Sequence, residues 1–285
     1  MSDLIQSIND ASDSVRQHVN AKIDWAIILG SGLSDIELEG FEQIACLDYS
    51  SIKGLPKTTA LSHIGELRFL QNSSTTIAVC AGRHHLYEGY NAQQVSTLTY
   101  LLRKLGCENL IITNAAGALN EQYEPGDVML ISDHINLTGQ NPLVVSNAGS
   151  GQGADQDNIL GPAFADMSDA YNRQLRDQAS KVASSININC HQGIYVGVLG
   201  SSLETSAERR LFRQFGGDAV GMSTVIENIA ANHCQMRVLG ISAITNKATG
   251  NADQQADTIE DVLKHAAIAG NKIKLIVETL LNQLD

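Results

Sequence analysis

Several stretches of this sequence carry side chains that together could hold a small anion. The richest is 82–90, GRHHLYEGY. If it stays extended, Arg83, His85 and Tyr87 alternate onto one face, setting a cation, a titratable donor and a phenol side by side. That set suits a phosphate with a sugar next to it. A surface salt bridge is the plain alternative for Arg83. The adjacent His84 and His85 lack an H-x-x-x-H or comparable ligand spacing, so no metal is expected. Upstream, Gly30-Ser31-Gly32 closes a short apolar run and offers backbone N–H groups as phosphate-binding loops do. A dinucleotide fingerprint is not completed there, because Asp35 stands where the third glycine belongs. Glu204 precedes a helix already capped by Thr205 with Glu208, so capping does not explain it. Ser223 lies one residue before a Thr224/Glu227 capping box, which puts its hydroxyl beside a helix N-terminus, a natural anion site. Asn246 and Lys247 end an apolar strand-like run over 237–245.

The elements that must position these groups alternate along the chain. The run 110–120, LIITNAAGALN, reads as a buried strand delivering a loop of small residues to the rim of a sheet. Nothing bulky guards that loop, so its backbone can approach a ligand, although a plain turn would look the same. Residues 1–20 have the spacing of an amphipathic helix, and 25–29 of a short buried strand, with a further helix starting at a Ser34/Glu37 capping box. Residues 65–82 form a hairpin about Asn72-Ser73-Ser74, and 92–105 a helix closed by Gly106. Strands are expected over 126–131, 193–199 and 218–222, and a helix over 168–185. A final helix from about residue 257 to 281 should bury Ile259, Leu263, Ala266, Ile273, Ile276 and Leu280. Residues 145–158 are rich in Gly, Ser, Asn and Asp and read equally as a flap or a surface excursion. The alternation of strand and helix, without an internal repeat, predicts one continuous α/β domain over 1–285.

Composition narrows the partners. A net charge of -12 argues against a nucleic-acid or anionic-membrane binder, while leaving room for a locally positive pocket. No apolar run reaches membrane-spanning length, and the first residues lack the pattern of an export signal. Five cysteines, an odd number without C-x-x-C pairing, read as free and mostly buried thiols in a reducing compartment. A cytoplasmic location is expected.

Taken together, the motifs resemble the trimeric purine nucleoside phosphorylases. They are GSGL at 30–33, GRHHLYEGY at 82–90, TNAAGALN at 113–120, GDVMLISDHINLTG at 126–139, MSDAY at 167–171, ETSAE at 204–208, VGMST at 220–224 and TNK at 245–247. The resemblance spans about residues 25–247 in the family's order and spacing. It implies a mixed, barrel-like central sheet flanked by helices, a homotrimer, and reversible phosphorolysis of purine nucleosides to base and ribose 1-phosphate. No cofactor is implied, inorganic phosphate being a co-substrate. By the same resemblance, Ser31, His63, Arg83, His85, Ala115 and Ser223 bind phosphate, while Tyr87, Met222 and Ile259 take the ribose region. Ala115, Ala116, Gly117, Leu203, Glu204, Val220, Gly221 and Asn246 surround the purine, and His85, Glu204 and Asn246 carry the catalytic roles. Glu204 would accept from N1–H of a 6-oxopurine, so inosine and guanosine should be preferred to adenosine.

The sequence departs from the family at a few places. Leu203 stands for an aromatic residue before the purine glutamate, and Leu160 for a phenylalanine lent by a neighbouring subunit. Gly200-Ser201-Ser202 replaces a G-P-[SN] run. Ile259 aligns with a histidine that contacts the ribose 5′-hydroxyl. An apolar residue there would favour a 5′-alkylthio group, which keeps a methylthioinosine-type phosphorylase open. A methylthioadenosine phosphorylase fits less well, since that branch carries an aspartate at the position of Asn246. A catalytically silent nucleoside-binding protein and a water-using hydrolase are the readings of other classes.

Overall fold

A computed structural model describes residues 2–33, 38–58, 64–144, 160–162, 164–252, 254, 256 and 258–284. The Ser34/Glu37 cap, His63 and the 145–158 segment lie outside the described residues. Nine strands and six α-helices alternate among those described: α1 Ser2–Arg16, β1 Trp25–Ile28, β2 Glu42–Asp48, β3 Glu66–Gln71, β4 Thr76–Ala81 and α2 Ala92–Lys104. There follow β5 Asn109–Ala118, β6 Val128–Asn136, α3 Arg173–Ser185, β7 Cys190–Gly197, α4 Ser206–Gln214, β8 Ala219–Gly221, α5 Val225–His233, β9 Arg237–Lys247 and α6 Ile259–Leu284.

The strands form one mixed sheet in the order β2-β3-β4-β1-β5-β8-β7-β6-β9, and β5 also pairs with β9. That extra pairing closes β5, β8, β7, β6 and β9 into a barrel, from which β1, β4, β3 and β2 extend as an open arm. Strands β1, β4, β5 and β9 run parallel, so their carboxyl ends meet at one end of the barrel. The resulting architecture is the α/β domain with a mixed barrel-like core that the motifs implied.

Helices cover the sheet with the stripes their sequences encode. Ile8, Ala11 and Val15 of α1 are buried against a core that also holds Leu98, Leu101 and Leu102 of α2. Ile273, Ile276, Val277 and Leu280 of α6 pack with Ile27, Ile111 and Leu239 of the strands. Here one expectation is corrected: Ile259 is 81% and Leu263 42% exposed, and continuous burial begins only at Ala266. The first turns of α6 reach beyond the strand ends, so an apolar period there has no sheet to cover. Two strands also run further than the sequence suggests. β5 continues through Asn114-Ala115-Ala116-Gly117-Ala118, read above as a loop, because β9 and β8 pair with it on either side. β9 likewise includes Asn246 and Lys247. Strand β2 was not foreseen, being an edge strand with mostly exposed side chains and no buried period to betray it. All five cysteines are free; Cys80, Cys107 and Cys234 are buried, Cys190 is half-buried and Cys46 exposed. Among the described residues no helix is long and apolar enough to cross a membrane.

Candidate active site

At the carboxyl ends of these parallel strands a cavity of about 210 Å³ opens. One end is built on Gly30 and Ser31 after β1, Arg83 and His85 after β4, and Ser223 before α5. Gly30 must lack a side chain, since a Cβ would lie 2.7 Å from the Asn114 Cα. Arg83 is 2% exposed and reaches the sheet interior, where Nη2 donates to the Ile28 carbonyl at 3.1 Å and also to the Thr113 carbonyl. Its Nε stands 3.2 Å from Oε1 of Glu227, itself 3% exposed. The pair is close enough for strong attraction in a low-dielectric site, but its angle falls short of a hydrogen bond. Nη1 has no hydrogen-bond partner among the described residues.

This buried pair overturns the capping box read at Thr224/Glu227. Thr224 does precede α5, but its φ of 72° and ψ of -47° leave its side chain without a cap hydrogen bond. Its hydroxyl instead accepts from Asn114 Nδ2 at 2.9 Å and lies 3.2 Å from the Ser223 hydroxyl. A threonine with positive φ costs on the order of 1–3 kcal/mol, a strain typical of sites where backbone position matters more than stability. Thr205 with Glu208, by contrast, forms the expected capping box at α4.

The 82–90 segment is not extended throughout. A 3-10 turn at Leu86–Glu88 interrupts it, yet Arg83, His85 and Tyr87 still line one cavity. Glu88 holds the turn by accepting from the His85 backbone N–H at 2.9 Å and from Nδ1 at 2.8 Å. The proton on Nδ1 is thereby fixed, and Nε2 takes the complementary role. The Tyr87 ring stacks on His85 with centroids 4.5 Å apart. Burial, then Glu88, pushes the Tyr87 phenol up to about 12, so it stays protonated and able to donate. His84 turns away, its Nε2 donating to the Pro56 carbonyl at 2.7 Å between Tyr49 and Tyr90. Burial also holds His84 below the usual imidazole range.

The other end of the cavity is lined by Ala115, Ala116 and Gly117 of β5, Val220 and Gly221 of β8, Met222, Leu203, Glu204 and Asn246. Register explains the geometry at Asn246. It pairs with Gly117 across a β-bulge, and a Cβ on Gly117 would lie 3.3 Å from Asn246 Nδ2 and 2.8 Å from the Ala248 Cβ. The Thr245 hydroxyl donates to Asn246 Oδ1 at 2.8 Å and so orients the carboxamide. Glu204 lies 3.6 Å from Nε of Arg209, both nearly buried. Leu203 is 55% exposed at the mouth.

Residues far apart in sequence are thus gathered in one place. Of the candidates, Ile259 is not brought to the cavity; α6 supplies Val262 instead, a helical turn further on. Glu88, Glu227, Arg209 and Thr245 escaped the sequence reading. Glu227 was hidden by a local capping pattern; Glu88 with His85, Thr245 with Asn246 and Arg209 with Glu204 pair within five residues, but no apolar period or Ser/Thr cap motif marks such pairs.

A barrel-like α/β domain with an anion-suited pocket at one end and carboxylate plus carboxamide at the other defines a protein that handles a small bipartite ligand. Residues 24–282 match the phosphorylase superfamily, and the chain belongs to that family. Purine nucleoside phosphorylase 1 of Geobacillus stearothermophilus is 42% identical over 277 residues, covering 96% of this chain and 97% of its own length. The bovine (Bos taurus) purine nucleoside phosphorylase is 38% identical over 282 residues, covering 97% and 94%. A crystal structure of the Schistosoma mansoni enzyme in complex with inosine superposes with a TM-score of 0.87 at 30% identity, covering 99% of this chain and 97% of that one.

Proposed function

We propose that this chain catalyses reversible phosphorolysis of 6-oxopurine ribo- and deoxyribonucleosides, such as inosine and guanosine. The products are the free purine and (deoxy)ribose 1-phosphate. The observation that carries the reading is Arg83, buried with Nη1 unsatisfied among the described residues and lining the same cavity as Glu204 and Asn246.

Cleaving a ribosyl–purine bond develops positive charge on the sugar and negative charge on the base. Phosphate held by Arg83, His85, Ser31, Ser223 and the Ala115 backbone supplies the oxygen that bonds to the anomeric carbon as the C–N bond breaks. Its remaining charge stabilises the cationic sugar, and its capture in one cavity with the nucleoside removes the entropy cost of meeting. The bonding electrons leave with the purine, whose N7 and O6 are met by Asn246, while Glu204 accepts from N1–H. Tyr87 and Met222 flank the ribose. This chemistry needs no cofactor, phosphate being a co-substrate that ends in the sugar product. His63 belongs to this proposal through the family resemblance.

A homotrimer in the cytoplasm, working in purine salvage, is the setting this chemistry fits. One observation keeps a variant open: α6 presents apolar Val262 to the cavity, which suits a 5′-alkylthio group. The deciding experiment is release of hypoxanthine from inosine and from 5′-methylthioinosine, with and without phosphate. Release that depends on phosphate is the expected result, and equal release in its absence would replace the proposal with a hydrolase. Tight nucleoside binding without turnover would leave only a binding protein.

A further inference from the structure

Arg209 lies one turn into α4, is 4% exposed and lines the cavity with Glu204. Its Nε is 3.6 Å from Glu204 Oε2, and the two side chains are 5% and 8% exposed. The helix does not need Glu204, because Thr205 and Glu208 complete its cap. Arg209 is also held from behind. Gly250 crosses α4 so closely that a Cβ there would lie 3.0 Å from the Arg209 Cβ and 2.4 Å from the Ser206 carbonyl oxygen. Arg210 and Arg213 fasten the same crossing, donating to the Gly250 carbonyl at 2.6 Å and to Asn251 Oδ1 at 3.2 Å. This crossing follows the end of β9, where Asn246 sits, so α4 ties the carboxylate to the carboxamide.

We infer that Arg209 is a specificity-determining positioning residue, which holds Glu204 as a fixed anion and so makes the cavity reject purines lacking an N–H at that edge. The inference rests on the reading of Glu204 as the purine-binding carboxylate. A guanidinium beside a buried carboxylate favours its ionised form and cancels much of its desolvation penalty. An anionic Glu204 accepts from N1–H of a 6-oxopurine. A 6-aminopurine presents a lone pair there, so two acceptors face each other and neither is satisfied. A protonated Glu204 would donate to that lone pair, and discrimination would fade. The other charged or titratable groups lining the cavity have their own engagements: Arg83 with Glu227, His85 with Glu88, and Tyr87 stacked on His85. Among the described residues Arg209 is the cation within 4 Å of this carboxylate.

The test is the ratio of kcat/KM for inosine to that for adenosine from about pH 5.5 to about pH 8, where a buried carboxylate deprived of its cation would titrate. It is measured in the wild type, Arg209→Met, Arg209→Lys and Glu204→Gln. The wild-type ratio should stay flat. In Arg209→Met it should fall by about 10- to 100-fold, and further as pH drops, with Arg209→Lys restoring part of it. If Arg209→Met lowers both nucleosides alike with an unchanged pH profile, Arg209 is merely structural and the inference fails. Should that variant not fold, the wild type decides, since a ratio that collapses on acidification would mean Glu204 is not held as an anion. Glu204→Gln separates the two levels. If it leaves the ratio unchanged, the reading of Glu204 is wrong; if it abolishes discrimination while Arg209→Met does not, only Arg209's part is lost.

Discussion

Replacing Glu227 by glutamine tests the buried ion pair on which the proposed phosphate site depends. Glu227 and Arg83 are 3% and 2% exposed and 3.2 Å apart, so water screens neither. Removing one partner of a buried ion pair typically costs about 3–5 kcal/mol, because the other charge is left uncompensated. Two features moderate this here. Arg83 keeps its bonds to the Ile28 and Thr113 carbonyls, and the glutamine retains a neutral acceptor. A loss of about 2–4 kcal/mol is therefore expected. At about 2–4 °C per kcal/mol for a domain of this size, Tm should drop by about 4–16 °C. Phosphate should then raise Tm more in Glu227→Gln than in the wild type, since the bound anion becomes the main counter-charge of a buried guanidinium. The assay is thermal melting at fixed protein concentration and ionic strength, with phosphate titrated against chloride. Melting within about 1 °C of wild type, with an equal response to phosphate, would show that Glu227 does not compensate Arg83.

Two other outcomes are expected. Gly117→Ala would press a methyl group against Ala248 and Asn246, so kcat/KM for inosine should fall by about 10- to 100-fold while KM for phosphate stays within about two-fold; steady-state kinetics varying each substrate would reveal a phosphate defect instead. Acid should destabilise the fold through histidines. Burial holds His84, His134 and His233 below the usual 6.5, so the unfolded chain binds more protons than the folded one as pH falls through that value. Their contribution is thus complete above about pH 7 and is lost on acidification, by up to about 1.4 kcal/mol per pH unit for each site. Tm measured from about pH 7.5 to about pH 5 should fall, and His84→Asn should flatten the slope; a constant Tm would count against this.

The sequence alone determined which segments are strand or helix wherever apolar period and punctuation agree. The stripe of α1, the hairpin β3–β4, α2 closed by Gly106 and the cap at Thr205 follow from local chemistry, which acts over a few residues and leaves its mark in their order. Residue types also pointed to an anion site, since arginine, imidazole and hydroxyls recur near strand ends. Only the tertiary structure decided what those groups contact. Pairing with β8 and β9 turned the small-residue run of β5 from loop into strand, and set Gly117 opposite Asn246. Folding carried Glu227 to Arg83, although the local pattern assigned it to a helix cap, because a buried guanidinium gains more from a carboxylate than a helix end does from a cap. It also left Ile259 in solvent and turned Val262 to the cavity, since the depth at which a helix begins to bury depends on where the sheet beneath it ends. Periodicity is a property of neighbours along the chain, whereas the partner of a buried charge is a property of the whole closed barrel.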